Sequence, residues 1–282
     1  MAASTAATEW LSNFRDFSKM VFLKTEDEID LMRAANRLVS QTLTEVGRLI
    51  KPGVTTKQLD KVAEEFIRDH GAIPTFLGFP NPYGGDFPAS LCTSVNDQVV
   101  HGIPNDEPLK EGDIVSVDCG ALLNGFNGDS CYTFRVGEVS EEVNRLLRTT
   151  KESLYKGIEA AYAGKRIGDI GHAVQRHCEE QGFGVIREFV GHGIGKDMHE
   201  DPQVPNYGRP GNGKQLKNGL CIAIEPMIVQ GSREIWMMPD KWTIKTRDGG
   251  WAAHYEHTIA IHHGKPEILS TFEEIEKIEN QY

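Results

Sequence analysis

The stretch IVSVDCGALLNGFNGDSCYTFRV, residues 114–136, decides the fold of this chain. It contains two runs that are typical of strands, at 113–119 and 129–136. Between them, Asn124-Gly125 is the strongest short-range signal for a two-residue hairpin, because both residues tolerate the positive φ that a type I′ turn requires. We therefore expect a long antiparallel hairpin here.

This hairpin would bring two acids together. With Asn124-Gly125 as the turn, Asp118 lies opposite Cys131, and Asp129 is its diagonal neighbour on the same face, at a Cα distance of about 7–8 Å. Two carboxylates leaning together from there could flank or bridge a pair of metal ions about 3.5–4 Å apart. The alternative is a pair of solvent-exposed hairpin acids.

Further candidate ligands follow in the second half of the chain. The glycine-rich stretch GHGIG at 191–195 carries His192 with little side-chain bulk around it, and His199 follows seven residues later. Glu225 and Glu256 each adjoin an apolar run, where an acid is either a solvent-facing strand terminus or a ligand. A charge removed from water must be paired or coordinate a metal.

The charges of this set indicate a dinuclear metal site. Four carboxylates and one neutral imidazole balance two divalent cations. Oxygen-rich ligation with one imidazole suits manganese, iron, cobalt or zinc, and the sequence does not choose among them.

The remaining histidines are not assigned as metal ligands. His101 follows an apolar strand and is either a structural residue or a participant in the site. His199 is too far from His192 for the helical HExxH motif. As non-ligands beside a metal centre, His101 and His199 would suit peptide hydrolysis, one stabilising the oxyanion and the other serving the leaving-group side. We assign the other late histidines to the surface or to positions behind the ligands: His254, His257, His262 and His263.

The composition excludes several classes of protein. The chain has 282 residues, 39% hydrophobic and 25% charged, and a net charge of -11, which argues against direct DNA binding and against attachment to anionic membranes. Its longest apolar runs are shorter than the roughly 18 residues that a membrane helix needs. Five dispersed cysteines without a CxxC spacing indicate reduced thiols and a cytoplasmic protein.

The order of elements predicts one α+β domain over residues 21–282, preceded by a disordered tail at 1–20. Thr25 and Glu28 form a capping-box signal for the first helix. The helical periodicity predicts helices at 25–50, 56–70, 140–162 and 169–181. Later apolar runs predict strands at 183–191, 220–228, 242–246 and 255–262.

Several ordered motifs give the chain a family resemblance. They are SVND at 94–97 leading to HGIP at 101–104, Asp118 with GFNGD at 125–129, HGIGKDMHEDPQVPNY at 192–207, IEPM at 224–227 and YEHT at 255–258. From about residue 20 to 275 the chain resembles the type I methionine aminopeptidases. The resemblance implies the pita-bread fold, in which two pseudo-symmetric halves share a curved antiparallel sheet covered by helices.

The resemblance also implies roles for the candidate residues. Asp129 and Glu256 would bridge two divalent ions (Co, Mn, Fe or Zn), Asp118 would hold one ion, and His192 with Glu225 the other. Glu225 would act as general base, and His101 and His199 would contact the substrate amide and steady the transition state. A monovalent cation near Asn96 is a further expectation from the family.

The implied substrate is the initiator methionine of nascent cytosolic chains whose second residue is small. The resemblance also implies a monomeric enzyme that acts at the ribosome. A flexible thioether packs well against aromatic rings, so we expect the methionine pocket to be lined by Phe79, Phe87, Cys92 and Trp242. Three departures from the family pattern are Met198 in place of an aromatic residue, Asn127 in place of a frequent histidine, and a longer loop at 80–86.

Two rival functions share this fold. A prolidase or proline-directed aminopeptidase has a similar ligand set, but usually an additional N-terminal domain, for which the roughly 100 residues before His101 leave no room. A non-catalytic binding member of the fold, on ribosomes or RNA, should have lost ligands that this chain retains. A type II enzyme would need a long insertion between Glu225 and Glu256.

Overall fold

The computed structural model describes residues 21–82 and 84–279. The tail expected at 1–20 lies outside the described residues. Within them are five helices: α1 (Glu26–Gly47), α2 (Thr56–Asp69), α3 (Glu141–Glu159), α4 (Ile167–Glu180) and α5 (Glu273–Glu279). The strands are β1 (Ile73–Pro74), β2 (Leu91–Val95), β3 (Gln98–Val100), β4 (Ile114–Leu123), β5 (Phe126–Arg135), β6 (Gly184–Val185), β7 (Gly191–Gly193), β8 (Glu200–Val204), β9 (Cys221–Ile224), β10 (Met227–Val229), β11 (Ile235–Met237), β12 (Ile244–Thr246), β13 (Ala252–His254), β14 (Glu256–His262) and β15 (Lys265–Ile268).

Helix α1 forms as the sequence predicts. The Thr25 side chain accepts from the Glu28 backbone N–H, and the Glu28 side chain accepts from the Thr25 backbone N–H, so both halves of the capping box are present. The helix ends at Gly47, and a Cβ there would lie 2.7 Å from the Phe134 ring. This close approach brings α1 against β5. No described helix is long and apolar enough to cross a membrane.

The central sheet is antiparallel and joins the two halves of the chain. Its nine strands run in the order β1-β4-β5-β14-β9-β7-β8, with β2 added to β4 and β15 added to β14. Helix α1 packs on β4 and β5, and α3 packs on β9 and β14. Each half therefore supplies a helix pair and a strand pair, and the halves meet where β5 pairs with β14.

The predicted hairpin is confirmed. Strands β4 and β5 are joined by Asn124-Gly125, with φ values of 53° and 81°, as a type I′ turn requires. Asp118 pairs with Cys131, and Gly120 pairs with Asp129, which is the predicted register. Asp118 and Asp129 therefore point to the same face of the sheet.

Three predicted strands in the second half are not continuous. The run 220–228 breaks at Glu225-Pro226, because β9 belongs to the large sheet and β10 to a separate sheet, β13-β10-β6. The segment 183–191 holds only β6 and the first residue of β7. The third segment, 242–246, forms a strand only from Ile244 to Thr246.

A second break lies beside the first. Strand β13 ends at His254, where it pairs with Met227, and β14 begins at Glu256, so Tyr255 separates two strands of different sheets. The Tyr255 N–H lies 3.4 Å from the Pro226 carbonyl oxygen. Two neighbouring strands thus leave the large sheet at the same level, and Glu225 and Glu256 lie at the exit.

Candidate metal centre

The five predicted ligands come from five neighbouring strands. In the order of the sheet, β4 carries Asp118, β5 Asp129, β14 Glu256, the end of β9 Glu225 and β7 His192. Cys131 pairs with Asp118 on one side and with Glu256 on the other, so these side chains form a row across the sheet. The fold brings all five residues to one site.

Distances define a compact cluster around His192. Its Nε2 lies 3.5 Å from Asp129 Oδ2 and 3.6 Å from Glu225 Oε1. Ligand atoms of Asp129, His192 and Glu256 lie within 4.8 Å of one another. The His192 Nδ1 lies 2.9 Å from the Gly193 carbonyl oxygen. A bond from Nδ1–H to that carbonyl leaves Nε2 as the ligand atom, which is how ligating histidines are usually held.

The acids of this cluster lack the partners that buried charges need. Asp118 Oδ1, Asp129 Oδ1 and Glu256 Oε1 are buried and accept no hydrogen bond. Burial raises the pKa of Asp118 and of Glu256 well above the ordinary range, and the neighbouring carboxylates add to the effect. Burial also raises the pKa of Asp129. Bound cations would offset both the burial of these carboxylates and their mutual repulsion. This donor set therefore fits a divalent-metal centre.

The two additional histidines flank the cluster. The His199 ring centroid is 4.3 Å from that of His192, and the ring meets Phe79 edge-on at 5.2 Å. His199 faces the open cleft, yet the protein around it still removes enough hydration to lower its pKa well below the usual value, and the neighbouring imidazoles of His192 and His101 add to the lowering.

His101 also lines the cleft, immediately after β3. It adopts a left-handed backbone with φ of 58°, and its ring lies 5.4 Å from Phe189 and 6.2 Å from Trp242. Burial lowers the pKa of His101 to about 4, although the charge of Glu225 opposes the shift. Both His101 and His199 are therefore neutral near neutral pH.

An apolar pocket adjoins the cluster, within a cleft of about 1380 Å³. The four predicted pocket residues Phe79, Phe87, Cys92 and Trp242 all line this cleft. Phe87 and Trp242 meet edge-on at 5.1 Å. Phe76, which the sequence analysis did not single out, also lines it, and nothing in its local sequence distinguishes it from a core residue.

Two hydrogen bonds join the loop at 80–86 to the chain segment that carries Trp242. The Trp242 Nε1–H donates to the Gly85 carbonyl oxygen at 3.1 Å, and Asn81 Nδ2 donates to the Lys241 carbonyl oxygen at 3.0 Å. The loop therefore orients the tryptophan ring that lines the pocket.

The other two departures have structural explanations. Asn127 Nδ2 donates to the carbonyl oxygens of Gly195 and Lys196 at 3.1 and 2.9 Å, which holds the glycine-rich stretch against β5. Met198 is buried and also reaches the cleft, where a Cβ on Gly120 would lie 2.7 Å from its terminal methyl carbon.

The sequence analysis left two places open for His254, the surface or a position behind the ligands, and the structure shows the second. It is 2% exposed, and its Nε2 lies 3.6 Å from Glu225 Oε2 without a hydrogen-bond partner. His257 is likewise not at the surface: it is buried, bonds Ser270 Oγ at 2.7 Å and stacks on Phe272. The position of His254 at the end of β13 could not be inferred, because the break at Tyr255 was not predicted.

The turn at Asn96 is held by the protein itself. Asn96 Nδ2 donates to Asp113 Oδ1 at 2.8 Å, and Asn96 Oδ1 accepts from the Ile114 N–H at 2.9 Å. The Asn96 carbonyl oxygen accepts from the Ala252 N–H at 2.8 Å. A monovalent cation at this turn stays a prediction.

Comparison with known proteins gives the class to which this fold and site belong. The model of metallopeptidase family M24 matches residues 30–263. The chain therefore belongs to metallopeptidase family M24, whose members bind divalent metals. Within that family, its relatives are methionine aminopeptidases.

Those relatives cover most of the chain. The methionine aminopeptidase of Clostridium acetobutylicum is 52% identical over 90% of this chain and all of its own length. Methionine aminopeptidase 1 of Bacillus subtilis is 51% identical over 86% of this chain and 96% of its own. The crystal structure of the Rickettsia prowazekii methionine aminopeptidase, 41% identical, superimposes with a TM-score of 0.87 over 89% of this chain and all of its own. The expected pita-bread fold is confirmed.

Prolidases share the fold more distantly. The Pyrococcus furiosus prolidase is 22% identical, with a TM-score of 0.70 over 88% of this chain and 65% of its own. At this identity the likeness shows the common architecture alone.

Proposed function

We propose that this protein removes the N-terminal methionine from peptides and nascent proteins whose second residue is small. The observation that carries the proposal is the convergence of five ligand-type side chains from five adjacent strands, directly beside an aromatic pocket. The pocket suits the methionine side chain, and the acid cluster suits the metal chemistry of peptide hydrolysis.

Two divalent ions are part of the proposal. Asp118, Asp129, His192, Glu225 and Glu256 would hold them. When bound, such ions polarise the scissile carbonyl and make water a better nucleophile near neutral pH. Cobalt, manganese, iron and zinc are all compatible with this donor set.

The side chains divide the remaining work. Glu225 would take the proton of the attacking water, because its carboxylate borders both the cluster and the cleft. The neutral imidazole of His199 would donate a hydrogen bond to the developing oxyanion, and His101 would hold the substrate amide. Phe79, Phe87, Cys92 and Trp242 would bind the methionine side chain.

The wider setting follows from the same function. We propose that residues 21–282 act as one catalytic domain, which works as a monomer in the cytoplasm on chains emerging from the ribosome. The five cysteines are free buried thiols, which supports a reducing compartment. The rival readings, a proline-directed peptidase and a non-catalytic binding module, serve as alternative outcomes of the test.

The decisive experiment measures release of free methionine from Met-Ala-Ser and Met-Leu-Ser, before and after metal-stripped protein receives Mn(II) or Co(II). We expect metal-dependent cleavage of the first peptide only, and no cleavage of N-acetylated Met-Ala-Ser. Cleavage of Ala-Pro-Ser instead would favour the proline-directed enzyme. Failure to cleave any peptide with either metal would favour the binding module.

A further inference from the structure

A second group of metal-ligating side chains lies at the far end of strand β14. This strand begins at Glu256, in the cluster described above, and ends at His262. Six steps along a strand, at about 3.3 Å each, separate these residues by roughly 20 Å. The second group is therefore distinct from the catalytic cleft.

Three side chains make up this group: Glu26, His262 and His263. Each offers one ligand atom, and the three atoms lie within 4.8 Å of one another. The His262 Nε2 is 2.5 Å from Glu26 Oε2, and the two imidazole centroids are 4.0 Å apart. Two imidazoles and a carboxylate are a common ligand set of zinc, which takes water as its fourth ligand.

Hydrogen bonds to the Nδ1 side of His262 orient its ring in the way that ligating histidines are usually oriented. Glu267 Oε2 lies 2.7 Å from His262 Nδ1, while Glu267 Oε1 accepts from Arg33 Nε at 3.0 Å and from its Nη2 at 2.8 Å. A carboxylate held by arginine is an acceptor, so Nδ1 carries the hydrogen and Nε2 faces Glu26. A metal ion there would replace the proton shared by Nε2 and Glu26. Such carboxylate–histidine pairs support metal ligands elsewhere.

The turn that presents His263 does not require a histidine. His262 pairs with Lys265, so His263-Gly264 is a two-residue turn, with φ values of 49° and 82°. Asn-Gly is the preferred pair for this type I′ turn. The turn therefore gives no reason for a histidine at position 263. A ligand role beside His262 gives one, because the two rings lie 4.0 Å apart.

The surroundings favour a cation. Glu26 and His263 are exposed, so a metal can reach them from solvent. The N-terminus of α1 carries partial positive charge, but its first turn holds three acids: Glu26, Asp27 and Glu28. The full negative charges outweigh the helix dipole near the group.

We propose that Glu26, His262 and His263 form an auxiliary site for a zinc-class divalent ion, which ties the first turn of α1 to the β14–β15 hairpin. The auxiliary ion does not depend on the catalytic ions, although one zinc measurement counts the ions of both sites. A metal here would link two elements that are far apart in sequence and would stabilise the folded chain by mass action.

The test counts zinc in the full-length protein. Metal-stripped protein is equilibrated with buffered Zn(II), desalted and assayed for bound zinc by mass spectrometry. We expect His263→Asn to bind one equivalent less than the unmodified protein, with unchanged methionine release, because asparagine suits the turn. His177→Asn is the matched control: His177 Nε2 lies 3.1 Å from Glu152 on the helical surface, and within the described residues it belongs to no grouping of three ligands.

A catalytic-site variant keeps the two sites separable. The double variant Asp118→Asn/Glu256→Gln should lose the catalytic zinc and keep one equivalent, and zinc should still raise its melting temperature. Adding His263→Asn to the double variant should abolish the remaining equivalent of zinc and the rise in melting temperature. Equal zinc content with and without His263→Asn in both backgrounds would overturn the auxiliary site, while zinc content unaffected by the double variant would overturn the catalytic ligand assignment alone.

Discussion

The two sides of the metal centre are built in different ways. Asp118 and Asp129 lie on the unbroken hairpin of β4 and β5, whose backbone is hydrogen-bonded along its whole length. Glu225 and Glu256 lie where two strands leave the large sheet together. We refer to these as the hairpin side and the break side of the site.

Each side combines a deeply buried acid with a more accessible one. Asp129 and Glu256 are 3% and 2% exposed, whereas Asp118 is partly buried and the Glu225 side chain is 13% exposed. At the break, side chains replace the ladder: Asn206 Nδ2 donates to the Glu225 carbonyl oxygen at 2.8 Å. The hairpin side therefore holds its two ligands on a continuous ladder, whereas the break side holds Glu225 at the end of a strand, where it borders the cleft.

The largest effect should come from the break side. Glu225→Ala removes a ligand and the proposed base together, so we expect turnover of Met-Ala-Ser to fall by about 10³-fold or more with an unchanged fold. Glu234→Ala, at an exposed glutamate nearby, is the control. Circular dichroism would establish the fold, and near-native turnover of Glu225→Ala would contradict our assignment.

His254 tests whether the break side needs support from a neighbour. Because its Nε2 lies 3.6 Å from Glu225 Oε2, His254→Ala should weaken metal binding or turnover by roughly 10- to 100-fold, as loss of an outer-shell partner does. The control is His257→Ala, which removes a buried imidazole three positions along the chain. We expect His257→Ala to lower stability but to leave metal affinity in the stable protein unchanged, and equal effects on metal affinity would refute a special role for His254.

Asp118 on the hairpin side and Glu256 on the break side should together govern the pH dependence of metal uptake, because burial raises the pKa of both. Burial, together with the charges of Asp129 and Glu225, raises the pKa of Asp118, so its proton is retained to a higher pH than in an exposed aspartate. Metal must displace such protons, and lowering the pH below that raised pKa should weaken binding by about tenfold per pH unit for each proton displaced.

Calorimetric titration from neutral to mildly acid pH would measure this dependence. Asp118→Asn carries no proton to displace, so its slope should be shallower although its affinity is lower. An unchanged slope in Asp118→Asn would assign the protons to other ligands.

The smallest effect should come from the turn of the hairpin. Gly125 has a φ of 81°, and an added Cβ would meet no atom within 4 Å, so Gly125→Ala introduces backbone strain without a clash. We expect the free energy of unfolding to fall by about 1–2 kcal/mol, with metal content unchanged because the ladder still holds Asp118 and Asp129. Urea unfolding would measure this, with Asn124→Asp as the near-neutral control. Loss of metal would show that the hairpin side depends on its turn.

Much of the hairpin side was predictable from local sequence. The two strand-like runs and the Asn124-Gly125 turn together predict the register, and the register puts Asp118 and Asp129 on one face. The capping box of Thr25 and Glu28 likewise predicts where α1 begins. In these cases the deciding interactions join residues that are close in the chain.

The break side could be predicted only by residue type. Glu225 and Glu256 are recognisable as acids beside apolar runs, but the runs 220–228 and 255–262 do not reveal that one strand stops and another begins in a different sheet. For His254 the sequence therefore left the surface and a position behind the ligands both open, without naming Glu225 as its neighbour, and Phe76 went unnoticed as a residue of the cleft.

Short segments of the chain are enough to predict the helices, the hairpin with its register, and the chemical identity of the candidate ligands, because each depends on side-chain period, turn chemistry or charge. The assembled fold was needed to show which strands lie next to one another, where β9 and β13 leave their sheets, and which histidine contacts Glu225. Those outcomes depend on pairings such as Ile224 with His257, between residues whose proximity only the complete sheet creates.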